Sequence, residues 1–172
     1  MRVIRVFRSP GNGRRGRIRA GRLDLPCALG AGGIVRHKRE GDGGTPRARL
    51  RALAVYYRAD RIRPPRTLVA PVRIHPRDGW CDDPRSRLYN RPVRRPFAPS
   101  HERMWRDDAL YDVVVDLSWN RRPPVPGRGS AIFLHVARPG LAPTEGCVAV
   151  DRSRILRLLE RIGPDTVVEV IG

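Results

Sequence analysis

Two side chains in this sequence could do covalent chemistry together. His135 lies near the end of the apolar run Ala131 to Val136, and Cys147 follows Gly146, twelve positions further on. A free thiol has a pKa of about 8.5, and the thiolate is the nucleophile. An adjacent imidazole accepts the thiol proton and can return it to a leaving amine. The intervening chain spans at most roughly 40 Å when extended, far more than a return to contact requires. Pro139, Gly140 and Pro143 favour a turned path. If Cys147 begins a strand beside the His135 strand, thiol and imidazole can meet. Arg128 and Arg138 flank the region and would favour a thiolate. Gly146 presents no side chain to an approaching carbonyl. The N–H groups near Gly146 and Cys147 could hold a tetrahedral oxyanion, a contact worth roughly 2.7–4 kcal/mol in one measured case. A backbone carbonyl would suffice to orient His135. Taken singly, His135 also reads as a satisfied core or surface histidine, and Cys147 as a small buried hydrophobe.

The elements that must position this pair are mostly strands. Arg2 to Phe7 alternates charged and apolar residues, which is a strand pattern. Gly11 to Gly16 reads as a turn, and Arg17 to Ala28 as two short strands around Gly21. Leu50 to Tyr57, Thr67 to Ile74, Leu110 to Leu117, Ala131 to Val136, Cys147 to Val150 and Thr166 to Ile171 read as further strands. Ile155, Leu158, Leu159 and Ile162 fall at i, i+3, i+4 and i+7, the apolar stripe of a helix. Asp151 or Ser153 can cap its start, and Gly163-Pro164 ends it. Gly30 to Gly33 is a poor dinucleotide loop, because nothing after it reads as a helix. Residues 76–108 are irregular and polar, and loops of that length are often functional. The expectation is a single mainly-β domain over residues 1–172, with mixed or sandwiched sheets and one principal helix near the C-terminus.

Composition narrows the classes. At 172 residues, the chain can bury a core without metal or disulfide. The longest uncharged stretch, Leu25 to Val35, has 11 residues, too few for a bilayer span of about 20. Met1 to Ser9 carries Arg2, Arg5 and Arg8 and no apolar block, so it does not read as a secretory signal. The net charge of +18 rests on 34 arginines and the single Lys38. A solvated arginine surface accounts for it, and attraction to a polyanion is the sharper reading. The arginines are spread along the chain rather than gathered in a stripe with aromatics, so no nucleic-acid partner is expected. Cys27, Cys81 and Cys147 form no C-x-x-C motif and have no zinc-finger histidine spacing. Neither a metal nor a cofactor is expected.

Leu134-His135 followed by Pro143-Thr144-Glu145-Gly146-Cys147-Val148 resembles the His…Ser/Thr-x-Gly-Cys motif of L,D-transpeptidases with the YkuD-type catalytic domain. Lys38 to Thr45-Pro46 resembles that family's Lys…Thr-Pro hairpin. Trp80-Cys81-Asp82-Asp83-Pro84, Tyr89-Asn90 and Gly129 to His135 resemble a proteobacterial YkuD-like branch. The resemblance spans about residues 16–171. It implies a mainly-β catalytic fold in the periplasm or cell envelope, acting on peptidoglycan stem peptides. It implies Cys147 as nucleophile, His135 as general base, and Thr144, Gly146 and Cys147 framing the oxyanion site. The cysteine would attack the amide after the L-centre of diaminopimelate, D-Ala would leave, and an amine or water would resolve the thioester. Arg138 and Arg128 suit substrate carboxylates, and Trp80, Tyr89 and Asn90 are candidate cleft residues. Glu145 and Ala149 depart from the family pattern, which often has His and Arg or Asn there. Export would permit a Cys27–Cys81 disulfide; free thiols are the expectation. Glu102 and Arg106, one helical turn apart, read as a surface pair. Two other readings stay open: a non-catalytic wall-binding module and a basic nucleic-acid binder.

Overall fold

The computed structural model describes residues 2–172. In chain order the strands begin with β1 (Val3–Ser9), β2 (Asn12–Ala20) and β3 (Leu23–Ala28). They continue with β4 (Ile34–Val35), β5 (Thr45–Pro46), β6 (Arg49–Tyr57) and β7 (Pro71–Arg73). Next come β8 (Asp78–Cys81), β9 (Pro92–Arg94), β10 (His101–Arg103), β11 (Val113–Leu117) and β12 (Phe133–Val136). The chain closes with β13 (Val148–Val150), helix α1 (Arg152–Leu159) and β14 (Val167–Ile171). The fold is mainly β with one α-helix, as expected.

The main sheet has nine strands in the order β11-β12-β13-β3-β2-β1-β14-β6-β7, and β11 also pairs with β6. That extra pairing closes eight strands into a ring. The sheet is mixed: β1 with β14, β12 with β13, and β6 with β7 run parallel, and the other pairs are antiparallel. Strand alternation sorts the side chains between two cores. Ile4 and Val6 of β1, Val113, Val115 and Leu117 of β11, and Leu134 and Val136 of β12 face the larger core. Ile155, Leu158 and Leu159 of α1 cover it, as the periodicity predicts, and Ile162 joins them from the turn after the helix, which ends at Leu159 rather than at Gly163-Pro164. Each such buried side chain contributes about 1.5–3 kcal/mol. Val114 and Phe133 take the opposite face, where a smaller core gathers Ile74, Trp80, Met104, Tyr111 and Cys147.

Several expectations shift. The Gly11 to Gly16 turn is shorter, because β2 already starts at Asn12. Thr67 to Ile74 gives only the three-residue β7. The 76–108 stretch is not all loop. It folds as a separate three-stranded sheet, β10-β8-β9, over the smaller core. Its strands are three or four residues long, too short for alternation to stand out.

Under the future cleft, three loops meet backbone to backbone. Gly30 leaves no room for a side chain: a Cβ there would lie 2.0 Å from the Gly43 carbonyl oxygen and 3.0 Å from Gly146 Cα. Gly30→Ala should therefore lower stability by at least about 3 kcal/mol, the upper end of ordinary overpacking. In a thermal melt that is a fall in Tm of about 6–12 °C for a chain of this size. A Tm that does not move would contradict this close approach.

Candidate active site

The strand register brings the two chemical side chains onto one wall. On the parallel pair β12 and β13, Leu134 lies opposite Val148 and His135 opposite Ala149. Cys147 stands just before β13, beside Phe133, on the face that His135 shares. Both residues are buried at the bottom of a cleft of about 130 Å³ whose walls include Glu102, Arg106, Tyr111, Arg138, Thr144 and Glu145.

The sulfur is held on two sides. Cys147 Sγ donates to the Ala131 carbonyl at 3.1 Å and accepts from the Phe133 N–H at 3.3 Å. His135 Nδ1 lies 2.8 Å from the Val136 carbonyl oxygen. A carbonyl can only accept, so Nδ1 carries the proton and Nε2 keeps its lone pair. This backbone carbonyl is the orienting group the sequence does not reveal. The Tyr111 ring meets the imidazole edge-on, with centroids 5.4 Å apart.

Burial pushes the thiol up to about 12, helped by the nearby Glu102 carboxylate and opposed by the Phe133 N–H and Lys38. Burial also pulls the imidazole down to about 4, against the Val136 hydrogen bond, with Arg106 and Arg138 adding to the fall. The resting pair is neutral thiol and neutral imidazole. The expectation that flanking arginines favour a thiolate is corrected here, because desolvation dominates and Arg128 lies elsewhere, in a groove with Lys38 and Trp119.

The Cys147 turn rests on two threonines. Thr144 Oγ1 donates to the Cys147 carbonyl at 2.6 Å and accepts the Gly146 N–H at 3.2 Å. Thr45 Oγ1 accepts the Gly30 N–H at 2.8 Å and lies 3.5 Å from the same Cys147 carbonyl. The Lys38 ammonium shapes the loop that carries Thr45, through Asp42 at 2.5 Å and the Arg39 carbonyl at 2.7 Å. Gly146 has φ +133°, and a Cβ there would meet the Gly44 carbonyl at 2.8 Å. The Gly146 N–H is engaged by Thr144, which leaves the backbone N–H groups of Glu145 and Cys147 as donors of this turn.

The other sequence candidates divide. Arg138 lines the cleft. Trp80, Tyr89 and Asn90 do not. Trp80 lines a larger, mostly apolar cavity of about 620 Å³ on the far side of Phe133. The Tyr89 hydroxyl donates to Glu40. Asn90 sits one step behind the sulfur. Its Oδ1 accepts from Trp80 Nε1 and from the Ala131 N–H, both at 3.0 Å, and its Nδ2 donates to the Trp119 and Asn120 carbonyls. Ala131, at φ +51°, is thereby turned so that its carbonyl meets the thiol. All three cysteines are free thiols.

Sequence reading missed Glu102, Arg106 and Tyr111 as cleft residues. Glu102 and Arg106 form no helical surface pair, because Glu102 lies on β10. No local signal marks Glu102, because β10 has three residues and carries no visible alternation.

The fold and cleft define a mainly-β domain built around a buried thiol and imidazole. A family model described as the YkuD L,D-transpeptidase catalytic domain matches residues 5–170, and the chain belongs to that family. No curated protein and no solved structure matches it. No helix among the described residues is long and apolar enough to cross a membrane.

The neutral resting pair has a measurable signature. Alkylation of Cys147 by iodoacetamide should keep accelerating as pH rises past about 9, since the thiolate fraction grows until its pKa is reached. A flat rate between about pH 6 and 8 would reveal a resting thiolate–imidazolium pair and contradict this electrostatic picture.

Proposed function

We propose that the protein is a peptidoglycan L,D-transpeptidase in which Cys147 is the nucleophile and His135 the general base. The observation that carries this reading is the shared cleft wall, where the imidazole keeps a free Nε2 and the thiol lies on the adjacent strand. With both groups neutral at rest, proton transfer belongs to the attack itself. Nε2 takes the Sγ proton as sulfur bonds to the amide carbonyl carbon of a tetrapeptide stem. The carbonyl oxygen becomes an oxyanion, for which the Cys147 N–H, not used by any other group of the turn, is a donor. The imidazolium then gives its proton to the departing D-Ala nitrogen, the C–N bond breaks, and a thioester remains. An incoming amine adds to the thioester carbonyl and loses a proton to Nε2, and that proton returns to sulfur as the C–S bond breaks. General acid–base assistance of this kind contributes about 10²–10⁴-fold.

Arg138 at the rim suits a substrate carboxylate, since a guanidinium binds it through two parallel hydrogen bonds. The net charge of +18 favours approach to an anionic wall polymer. The place of action is then the cell envelope, where that polymer lies.

Purified tetrapeptide muropeptides incubated with the protein and followed by mass spectrometry provide the test. Wild type should give cross-linked dimer with release of D-Ala. Cys147→Ala should abolish product, and His135→Ala should lower the rate by about 10²-fold or more. Trimmed peptide without dimer would make the protein a carboxypeptidase of the same chemistry. Binding to sacculi that survives Cys147→Ala, with no product from wild type and no carbapenem adduct on Cys147, would make it a binding module instead.

A further inference from the structure

The cleft contains a carboxylate that the steps above do not use. Glu102 projects from β10 into the cleft beside Cys147. Its Oε2 accepts from the Tyr111 hydroxyl, and its Oε1 has no hydrogen-bond partner among the described residues. No arginine or lysine there forms an ion pair with it. Arg106, the nearest candidate in the same cleft, turns its guanidinium to Asp108 at 2.7 and 2.9 Å and lies over the Tyr111 ring, 5.2 Å from its centroid. A partly buried carboxylate without a counter-ion is costly to keep. Tyr111 fixes its orientation but brings no charge. Glu102 and Cys147 line the same cleft, and Oε1 is the carboxylate oxygen left for a ligand there.

We propose that Glu102, oriented by Tyr111, receives the ammonium group of the acceptor and so selects a primary amine over water. This rests on the acyl-transfer reading above and names the residue that would recognise the acceptor amine. An amine reaches the site as R–NH3⁺, which cannot attack. One N–H proton passes to Glu102 Oε1, leaving R–NH2 and a neutral carboxyl. The amine lone pair bonds to the thioester carbonyl carbon, a second N–H proton goes to His135 Nε2, and the C–S bond breaks with that proton returned to sulfur. Glu102 then releases its proton to solvent. Burial holds the Glu102 carboxyl above its ordinary pKa, with the Tyr111 hydrogen bond opposing, and a raised carboxyl is the better base for this task. Glu145, which lines the same cleft, adds a second carboxylate there.

The experiment measures the ratio of aminolysis to hydrolysis of the acyl-enzyme, with a disaccharide tetrapeptide as donor and free diaminopimelate as acceptor amine. Glu102→Gln should lower that ratio about tenfold or more and raise the apparent KM for diaminopimelate by a similar factor. Glu102→Asp, which keeps the charge, should recover part of the loss, and Tyr111→Phe should shift the ratio in the same direction by less. A residue that only supported the fold would lower acylation and aminolysis together and leave the ratio unmoved. An unchanged ratio in Glu102→Gln, a Glu102→Asp variant as poor as Glu102→Gln, or a wild type that only hydrolyses would each overturn the proposal while Cys147 acylation stands. Absence of D-Ala release and of carbapenem labelling in wild type would instead overturn the acyl-transfer reading itself.

Discussion

The site depends on close backbone packing beneath one cysteine. The Cys147 carbonyl is gripped by two threonine hydroxyls, and its side chain is clamped between the Ala131 carbonyl and the Phe133 N–H. Such a grip is possible only because Gly146 and Gly30 carry no Cβ, so that three loop backbones come within contact of one another. A side chain at either position would push the turn away from Thr45, and the sulfur would leave the β12 edge where the imidazole waits. The electrostatics follow from the same burial. A thiol and an imidazole pressed into an apolar sheet face both lose their charged forms, so reactivity has to come from concerted proton movement rather than from a standing thiolate.

The supports of this arrangement reach well beyond the cleft. Asn90 makes four hydrogen bonds from a fully buried position and uses one of them to turn Ala131 toward the thiol. Lys38 and Asp42 close the loop that delivers Thr45. The residues on which the family resemblance rests are thus of two kinds. Cys147, His135 and Thr144 line the cleft, whereas Lys38, Thr45, Trp80 and Asn90 hold the scaffold behind it.

Much of this was legible in the sequence where the signal was local. Alternation in β1, the continuous apolar run that gives β11, and the stripe of Ile155, Leu158 and Leu159 on α1 all correspond to observed elements. What failed to show was set by contacts distant in the chain. The three-stranded sheet of β8, β9 and β10 draws its stability from packing over Phe133 and Trp80, and its strands are too short to carry a period. Glu102 was hidden for the same reason, since a strand of three residues looks like a charged loop. The protonation state of the thiol was misjudged because arginines counted along the chain say nothing about which of them stays near the sulfur after folding.

The ring of strands carries a consequence for how the chain is made. Val3 pairs with Val167, so β1 needs β14, more than 150 residues later, as its neighbour. Long-range pairing of this kind pays its loop-closure entropy before any contact rewards it, and folding slows accordingly. An emerging chain must therefore hold β1 with one edge unpaired until β14 has been made, and strands so exposed invite pairing between chains. The β12–β13 pair brings His135 and Cys147 to one cleft wall, and it too forms long after β1, so thiol and imidazole meet late in folding.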